Sequence, residues 1–322
     1  MLRSVTLPGT SLSASCIGFG CASLGSRIGR VAGLRALEEA YAAGVTWYDV
    51  APPYGADEGE RILGDFLRGR RDRVVVCTKV GLVGPNRNRL VKLAYALARP
   101  IVGRAKILRR GFRSVPATRY RRLALDGVSI RTSLDTSLRR LGTDHVDVFA
   151  LHDPPEADVL RDDVLRALES IVTSGKARHL SVAGDLAACL AGSGPGLPFE
   201  VTQIADDPRT GTLGDLRARA PRRLAAVTHS VFGVDGMLDL LTATLGADAR
   251  AARRLADAGY AGESARMAAD LLLDRAFASN PDGVVLASMF GAGHRDANLA
   301  RAALPVRPDA EDLLAGILSA PA

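Results

Sequence analysis

The chain has 322 residues, of which 47% are hydrophobic and 24% charged, the balance of an ordinary globular protein with material for a large core. Aromatics are scarce at 5%, so that core is expected to be built from Leu, Val, Ile and Ala. The net charge of +7 is concentrated in residues 84–127, where twelve Lys or Arg face one acid for a net +11, leaving −4 for the remainder; so local a basic balance argues against general nucleic-acid binding.

Residues 2–13 contain Pro8 and Gly9 and are expected to form a small hairpin. A short apolar run at 16–19 is the first strand candidate. A helical pattern at 31–43 follows and stops at Gly44, then a strand at 45–49, a helix at 58–68 and a strand at 74–79. Segment 84–127 breaks the alternation, being too long for an ordinary connection between strand and helix. Its piece LVKLAYALARPIVG has helical spacing before Pro100. Its place after the third strand makes it either a lid over the carboxyl ends of the strands or a solvated basic flap.

Beyond it, residues 130–141 carry Leu134, Leu138 and Leu141 on one helical face, and Gly142 marks the stop. A strand at 146–151, a helix at 159–174 and strands at 179–183, 201–204 and 225–229 come next, followed by a helix at 265–278 and a strand at 284–287. Eight strands alternating with helices predict a parallel sheet with right-handed crossovers. Eight units favour closure into a (β/α)8 TIM barrel, with a doubly wound open sheet as the competing arrangement. No linker divides the chain, so a single domain over 1–322 is expected. No stretch supplies the ~18 apolar residues of a membrane helix, and the first fifteen residues lack the apolar run of a signal peptide. The four cysteines, Cys16, Cys21, Cys77 and Cys189, have neither metal-binding nor disulfide-framework spacing. A soluble protein in the reducing cytoplasm, with no metal site and no membrane or nucleic-acid partner, is the expectation.

Three polar residues stand at or just beyond the carboxyl ends of strand candidates: Asp49 in VTWYDV, Lys79 in VVVCTK and His152 in VDVFALH. Tyr54 follows five residues after Asp49, in APPYG. Each alone reads most simply as structural, the lysine as a salt-bridge partner and the histidine as a hydrogen-bonded strand end. In a barrel, however, the carboxyl ends converge on one face, where all four can meet. Trp47 and Tyr48 read as core.

DVAPPYGADEGERILG resembles the aldo-keto reductase signature D-x-A-x-x-Y-G-x-x-E-x-x-L-G, with Glu60 and Gly64 near the matching places. TKVG, LDTSLRRLGTDHVDVFALHDP, SGKARHLSVAG and VTQIADDP are similar to later blocks of that family, in the same order. The resemblance implies an NAD(P)H-dependent oxidoreductase acting on a small aldehyde, ketone or sugar. In it Tyr54 exchanges the proton, Lys79 lowers the pKa of that phenol, Asp49 holds Lys79 and His152 positions the substrate oxygen. It also implies cofactor contacts at Gly20, Cys21, Ala183, Gly184, Gln203, His229, Ser288, His294 and Asn298.

Several of those positions depart from the family. Ala183 and Gly184 replace the Ser-Asn pair that holds the nicotinamide carboxamide, and His229 replaces the stacking Tyr. Ser288 and His294 replace the Lys and Arg that grip a 2′-phosphate, with Arg295 adjacent. NADP(H) is the expected cofactor and NAD(H) the alternative. A redox-neutral isomerase or dehydratase using the same four residues, and a non-catalytic regulatory barrel like the potassium-channel beta subunits, remain open at this point.

Overall fold

In the computed structural model, which describes residues 1–84, 120–233 and 236–319, eight parallel strands close into a barrel. The chain begins with an antiparallel hairpin, β1 (Ser4–Thr6) and β2 (Ser13–Ser15), turning at Pro8 and Gly9 as expected. The barrel strands are β3 (Ile17–Gly20), β4 (Trp47–Asp49), β5 (Val75–Val80), β8 (Val146–His152), β9 (Ala177–Gly184), β10 (Phe199–Ala205), β11 (Ala225–His229) and β12 (Val284–Ala287). They pair in chain order, and β12 closes the ring on β3 with Val285 opposite Ile17 and Ala287 opposite Phe19. All eight fall where the apolar runs placed them, within two or three residues at the ends.

Closure requires the strands to present side chains alternately to the barrel interior and to the helices outside. β4 shows this within three residues. Tyr48 points outward, its hydroxyl donating to the Val45 carbonyl at 3.2 Å and its ring 4.8 Å from that of Phe66, on the helix Glu58–Leu67. Trp47 points inward, where Gly18 of β3 makes room for it. A Cβ at Gly18 would come within 2.9 Å of the Trp47 ring and of Val284, and 2.7 Å of Leu286. A floor of buried apolar side chains is thereby set beneath the mouth.

The hairpin covers the opposite, amino end of the barrel. Ser11 Oγ lies 3.2 Å from His179 Nε2 at the start of β9, Ser15 and Thr46 exchange hydrogen bonds at 2.8 and 3.0 Å, and Leu7 and Leu12 are buried beneath. A second apolar cluster, around Leu241, Leu255, Leu271 and Leu314, is formed by helices Met237–Ala247, Ala249–Asp257, Ser264–Ser279 and Ala310–Leu318 on the outer layer.

The helix expected over 159–174 is two. A short helix at Glu156–Val159 ends at Leu160, and a new one starts at Asp162. Leu160 is exposed, so no core contact draws the chain straight, and Arg161 bridges Asp158 and Asp163 across the break. The helical piece expected within LVKLAYALARPIVG, and most of the basic segment with it, lies outside the described residues. Its two flanks pair as a short antiparallel ladder, β6 (Leu82–Val83) with β7 (Arg121–Arg122), rising from the end of β5. Among the described residues no helix is long and apolar enough to cross a membrane.

Candidate active site at the carboxyl ends of the strands

Register brings the four polar residues to one rim. Asp49 ends β4, Lys79 is the fifth residue of β5 and His152 ends β8, all on the face where the strands finish. Asp49 pairs with Cys77 and Lys79 with Ala150, so successive strands step up and around the mouth. Tyr54 enters from the loop after β4, its amide donating to the Ala51 carbonyl at 3.1 Å.

At the centre is an ion pair removed from solvent. Lys79 Nζ donates to Asp49 Oδ1 at 2.5 Å and to the Val50 carbonyl at 3.1 Å, and both charged side chains are buried. Burial, the largest single influence, would favour a neutral amine, but the Asp49 carboxylate together with Tyr54 and Cys77 outweighs it and holds Lys79 charged above its ordinary range. The ammonium sits 5.6 Å from the centroid of the Tyr54 ring. The Tyr54 and His152 rings meet edge to face at 90°, with centroids 6.2 Å apart.

The phenol differs from expectation. Burial pushes the Tyr54 pKa up to about 12; Lys79 pulls downward as anticipated, but less strongly, and Asp49 pushes upward again. The ammonium acts with the expected sign, but desolvation of the phenol is larger. Tyr54 is therefore a protonated donor. Burial, with Lys79 and then His229 adding to it, depresses His152 to about 3, so this imidazole is neutral. Among the described residues its buried Nδ1 has no hydrogen-bond partner, an atom able to meet a group brought by a ligand.

The residues expected to contact a dinucleotide are distributed around the same rim. Ala183 and Gly184 end β9 beside His152, Ala183 being its paired residue. Gln203 on β10 pairs with Ala183 and is buried at the same rim. His229 ends β11, where burial lowers its pKa; its Nδ1 lies 3.0 Å from the hydroxyl of Ser230, whose φ of 65° is left-handed. Gly20 closes β3. Cys21 is different: its side chain is fully buried and its amide donates to the Asp49 carbonyl at 2.9 Å, so it braces Asp49 and presents no thiol to the mouth. Beyond β12, Ser288 and His294 are exposed and Asn298 is buried on the helix Ala292–Ala302. Arg295 does not stand in for the missing cations. Its guanidinium is buried against Glu39 and Asp296.

Between the ends of β9 and β10 an open groove of about 520 Å³ is lined by Gly184, Asp185, Ile204, Asp207 and Arg209, among others. Among the described residues no group of His, Cys, Asp and Glu could hold a metal ion. Sequence reading missed Thr78, Arg140 and Asp57, which support this rim from behind. The buried Thr78 in the middle of an apolar strand was the available signal.

Comparison with known proteins points the same way as the geometry. The profile of the Aldo/keto reductase family matches residues 16–191, just over half of the chain. The D-threo-aldose 1-dehydrogenase of a Pseudomonas species is 32% identical over 178 residues, covering 53% of this chain and 50% of that protein. The 6-dehydroglucose reductase of Agrobacterium fabrum is 28% identical over 61% of this chain and 60% of its own length. The chain thus spans about half the length of the curated relatives it matches. Among solved structures, the glycerol dehydrogenase of Gluconobacter oxydans superposes with a TM-score of 0.71 at 17% identity, over 98% of this chain and 95% of that one. An aldo/keto reductase from Klebsiella pneumoniae, solved with NADP and acetate, gives 0.69 at 18% identity over 100% and 97%. At such identity these structures speak for the fold.

Proposed function

The chain belongs to the aldo-keto reductase family, and on that footing we propose that it is an NAD(P)H-dependent oxidoreductase interconverting a carbonyl and an alcohol on a small molecule. The observation that carries the reading is the meeting of a buried Lys79–Asp49 pair, a protonated Tyr54 and a neutral His152 at one barrel rim.

The residues present fit a nicotinamide at the mouth. Gln203 and Ala183 pair on neighbouring strands and His229 ends the next one, so an amide side chain and an imidazole stand at the rim where a nicotinamide would be held. When bound, the reduced nicotinamide supplies a hydride to the carbonyl carbon. The protein's part is to finish the oxygen. Tyr54 gives its phenolic proton to the oxygen as charge develops there. His152, neutral, donates a hydrogen bond that holds this oxygen beside Tyr54, a preorganised donor of the kind that contributes a few kcal/mol to an oxyanion-like transition state. Lys79 remains charged throughout and stabilises the phenolate left behind. Asp49 keeps Lys79 in place and balances its charge.

The cofactor is NADP(H), with NAD(H) accepted as well, because Ser288 and His294 are exposed and Arg295 is held by Glu39 and Asp296, so among the described residues that follow β12 the one arginine placed near a 2′-phosphate is already engaged. The substrate is a small aldehyde, ketone or sugar; the named relatives act on aldose and glucose derivatives. Two measurements test the reading. Titration with NADPH and NADH, followed by nicotinamide fluorescence, should saturate below millimolar concentration. Tyr54→Phe should still bind cofactor but lose most turnover across a panel of aldehydes and aldoses. A protein that binds neither nucleotide at millimolar concentration would instead support redox-neutral chemistry at the same residues.

A further inference from the structure

Immediately after Tyr54 the backbone does something costly. Gly55, Ala56 and Asp57 have φ of 61°, 53° and 78°, three consecutive residues in the left-handed region, two of them not glycine. Gly55 is compelled: a Cβ there would lie 2.4 Å from the Leu24 carbonyl oxygen. Ala56 and Asp57 have no such excuse, and strained backbone persists only where its surroundings over-determine it. The loop is pinned at Asp57, whose Oδ2 lies 3.1 Å from Arg140 Nη2.

The same guanidinium reaches a second carboxylate. Arg140 Nη1 lies 3.1 Å from Glu60 Oε2, and Glu60, wholly buried, accepts from Thr78 Oγ1 at 2.8 Å through its other oxygen. Thr78 immediately precedes Lys79, and strand alternation sends the two side chains to opposite faces of β5. One side chain, near the end of helix Gly127–Leu141, therefore grips both the loop that carries the phenol and, through Glu60, the strand that carries the ammonium. It touches neither reacting group.

We propose that Arg140 is a positioning residue that sets the separation of Tyr54 and Lys79 by clamping Asp57 and Glu60 together behind the active site. The idea rests on the oxidoreductase reading for its consequence in turnover, but not for its consequence in geometry. The forked guanidinium is essential to it, because a point charge cannot satisfy two carboxylates in fixed directions at once.

The test uses Arg140→Lys and Asp57→Asn, singly and together, in the full chain. Arg140→Lys keeps a cation for the buried Glu60, and Asp57, half-exposed, can lose its charge without leaving an orphan in the core. Each variant is expected to lower kcat about ten- to hundredfold with KM for the nucleotide within about twofold, since a shift on the order of an ångström at the proton donor costs that much. The double variant should be no worse than the poorer single, as the two remove one clamp. Independently of turnover, the Tyr54 resonance in protein labelled with [ζ-13C]tyrosine, assigned by its loss in Tyr54→Phe, should shift in both variants while the other tyrosines hold still. Normal kcat with an unmoved Tyr54 resonance in folded Arg140→Lys overturns the proposal. So does a double variant whose loss is the product of the singles. If no variant or wild-type protein turns over a nicotinamide, the resonance alone decides: a shift sustains the clamp while the oxidoreductase reading falls. Should Arg140→Lys not fold, Asp57→Asn carries the same readouts, and an unmoved resonance there is equally decisive against the clamp.

Discussion

Lys79 Nζ lies 5.6 Å from the centre of the Tyr54 ring, yet the hydrogen bonds it makes within the described protein go to Asp49 and to the Val50 carbonyl. The ammonium therefore acts on the phenol through space. That arrangement lets it stabilise a phenolate after proton transfer without holding one beforehand, and it separates the task of Tyr54 from the anchoring of Lys79.

One consequence is a flat pH profile for reduction. Tyr54 is in its donor form below about 12 and His152 is neutral above about 3, so neither titrates between pH 5 and 9. The value of kcat/KM for aldehyde reduction, measured in that window at constant ionic strength, should vary less than about threefold from these groups. A limb near pH 7 that survives in His229→Gln and disappears in Tyr54→Phe or His152→Gln would contradict the assignment.

The buried ion pair should behave asymmetrically under mutation. Asp49→Asn strands a buried ammonium, with an expected loss of about 3–5 kcal/mol in denaturant unfolding, together with loss of turnover. Adding Lys79→Met removes the stranded charge. The double variant should regain much of the stability and none of the activity. Stability and catalysis would thus part company at a single pair of residues.

Acid should loosen the fold through the same site. The His152 pKa is depressed in the folded state, chiefly by burial, so the unfolded chain takes up a proton near pH 6.5 that the native site refuses until about pH 3. Stability is therefore fully present above about 6.5 and is lost progressively as pH falls toward 3. Thermal melts across that range should show a steeper decline for the wild type than for His152→Gln. Parallel curves would mean that His152 is not the group responsible.

Weak discrimination between the nucleotides follows from the ion pairs of Arg295 with Glu39 and Asp296. The Kd values for NADPH and NADH should lie within about tenfold of each other. Glu39→Gln combined with Asp296→Asn, which frees the guanidinium, should tighten NADPH and leave NADH unchanged. A strong NADPH preference in the wild type would show that another cation serves the phosphate.

The barrel was legible because each of its strands is a short apolar run and most are followed by a helix-forming stretch, and Asp49, Lys79 and His152 break those runs at or near their carboxyl ends. Asp49, Lys79 and His152 announced themselves for that reason. The short helices Leu186–Gly192 and Thr212–Arg219 were not legible, since one or two turns give too little periodicity to recognise. The left-handed turn at Gly55–Asp57 left only a faint trace, a glycine and an aspartate, because the reason for it is a guanidinium some eighty residues away. The misjudged phenol has the same origin. A neighbouring charge can be read from a motif, whereas burial is a property of everything folded around it.

Finally, the amino-terminal hairpin and the packed layer of Trp47, Val284 and Leu286 turn the barrel into a blind well. If Tyr54 gives up its proton as proposed, a replacement has to descend through the opening by which substrate and nucleotide would enter, because the bottom is stoppered. Recharging the acid and clearing the mouth are then successive events on one path, and a ligand that lingers at the rim delays both.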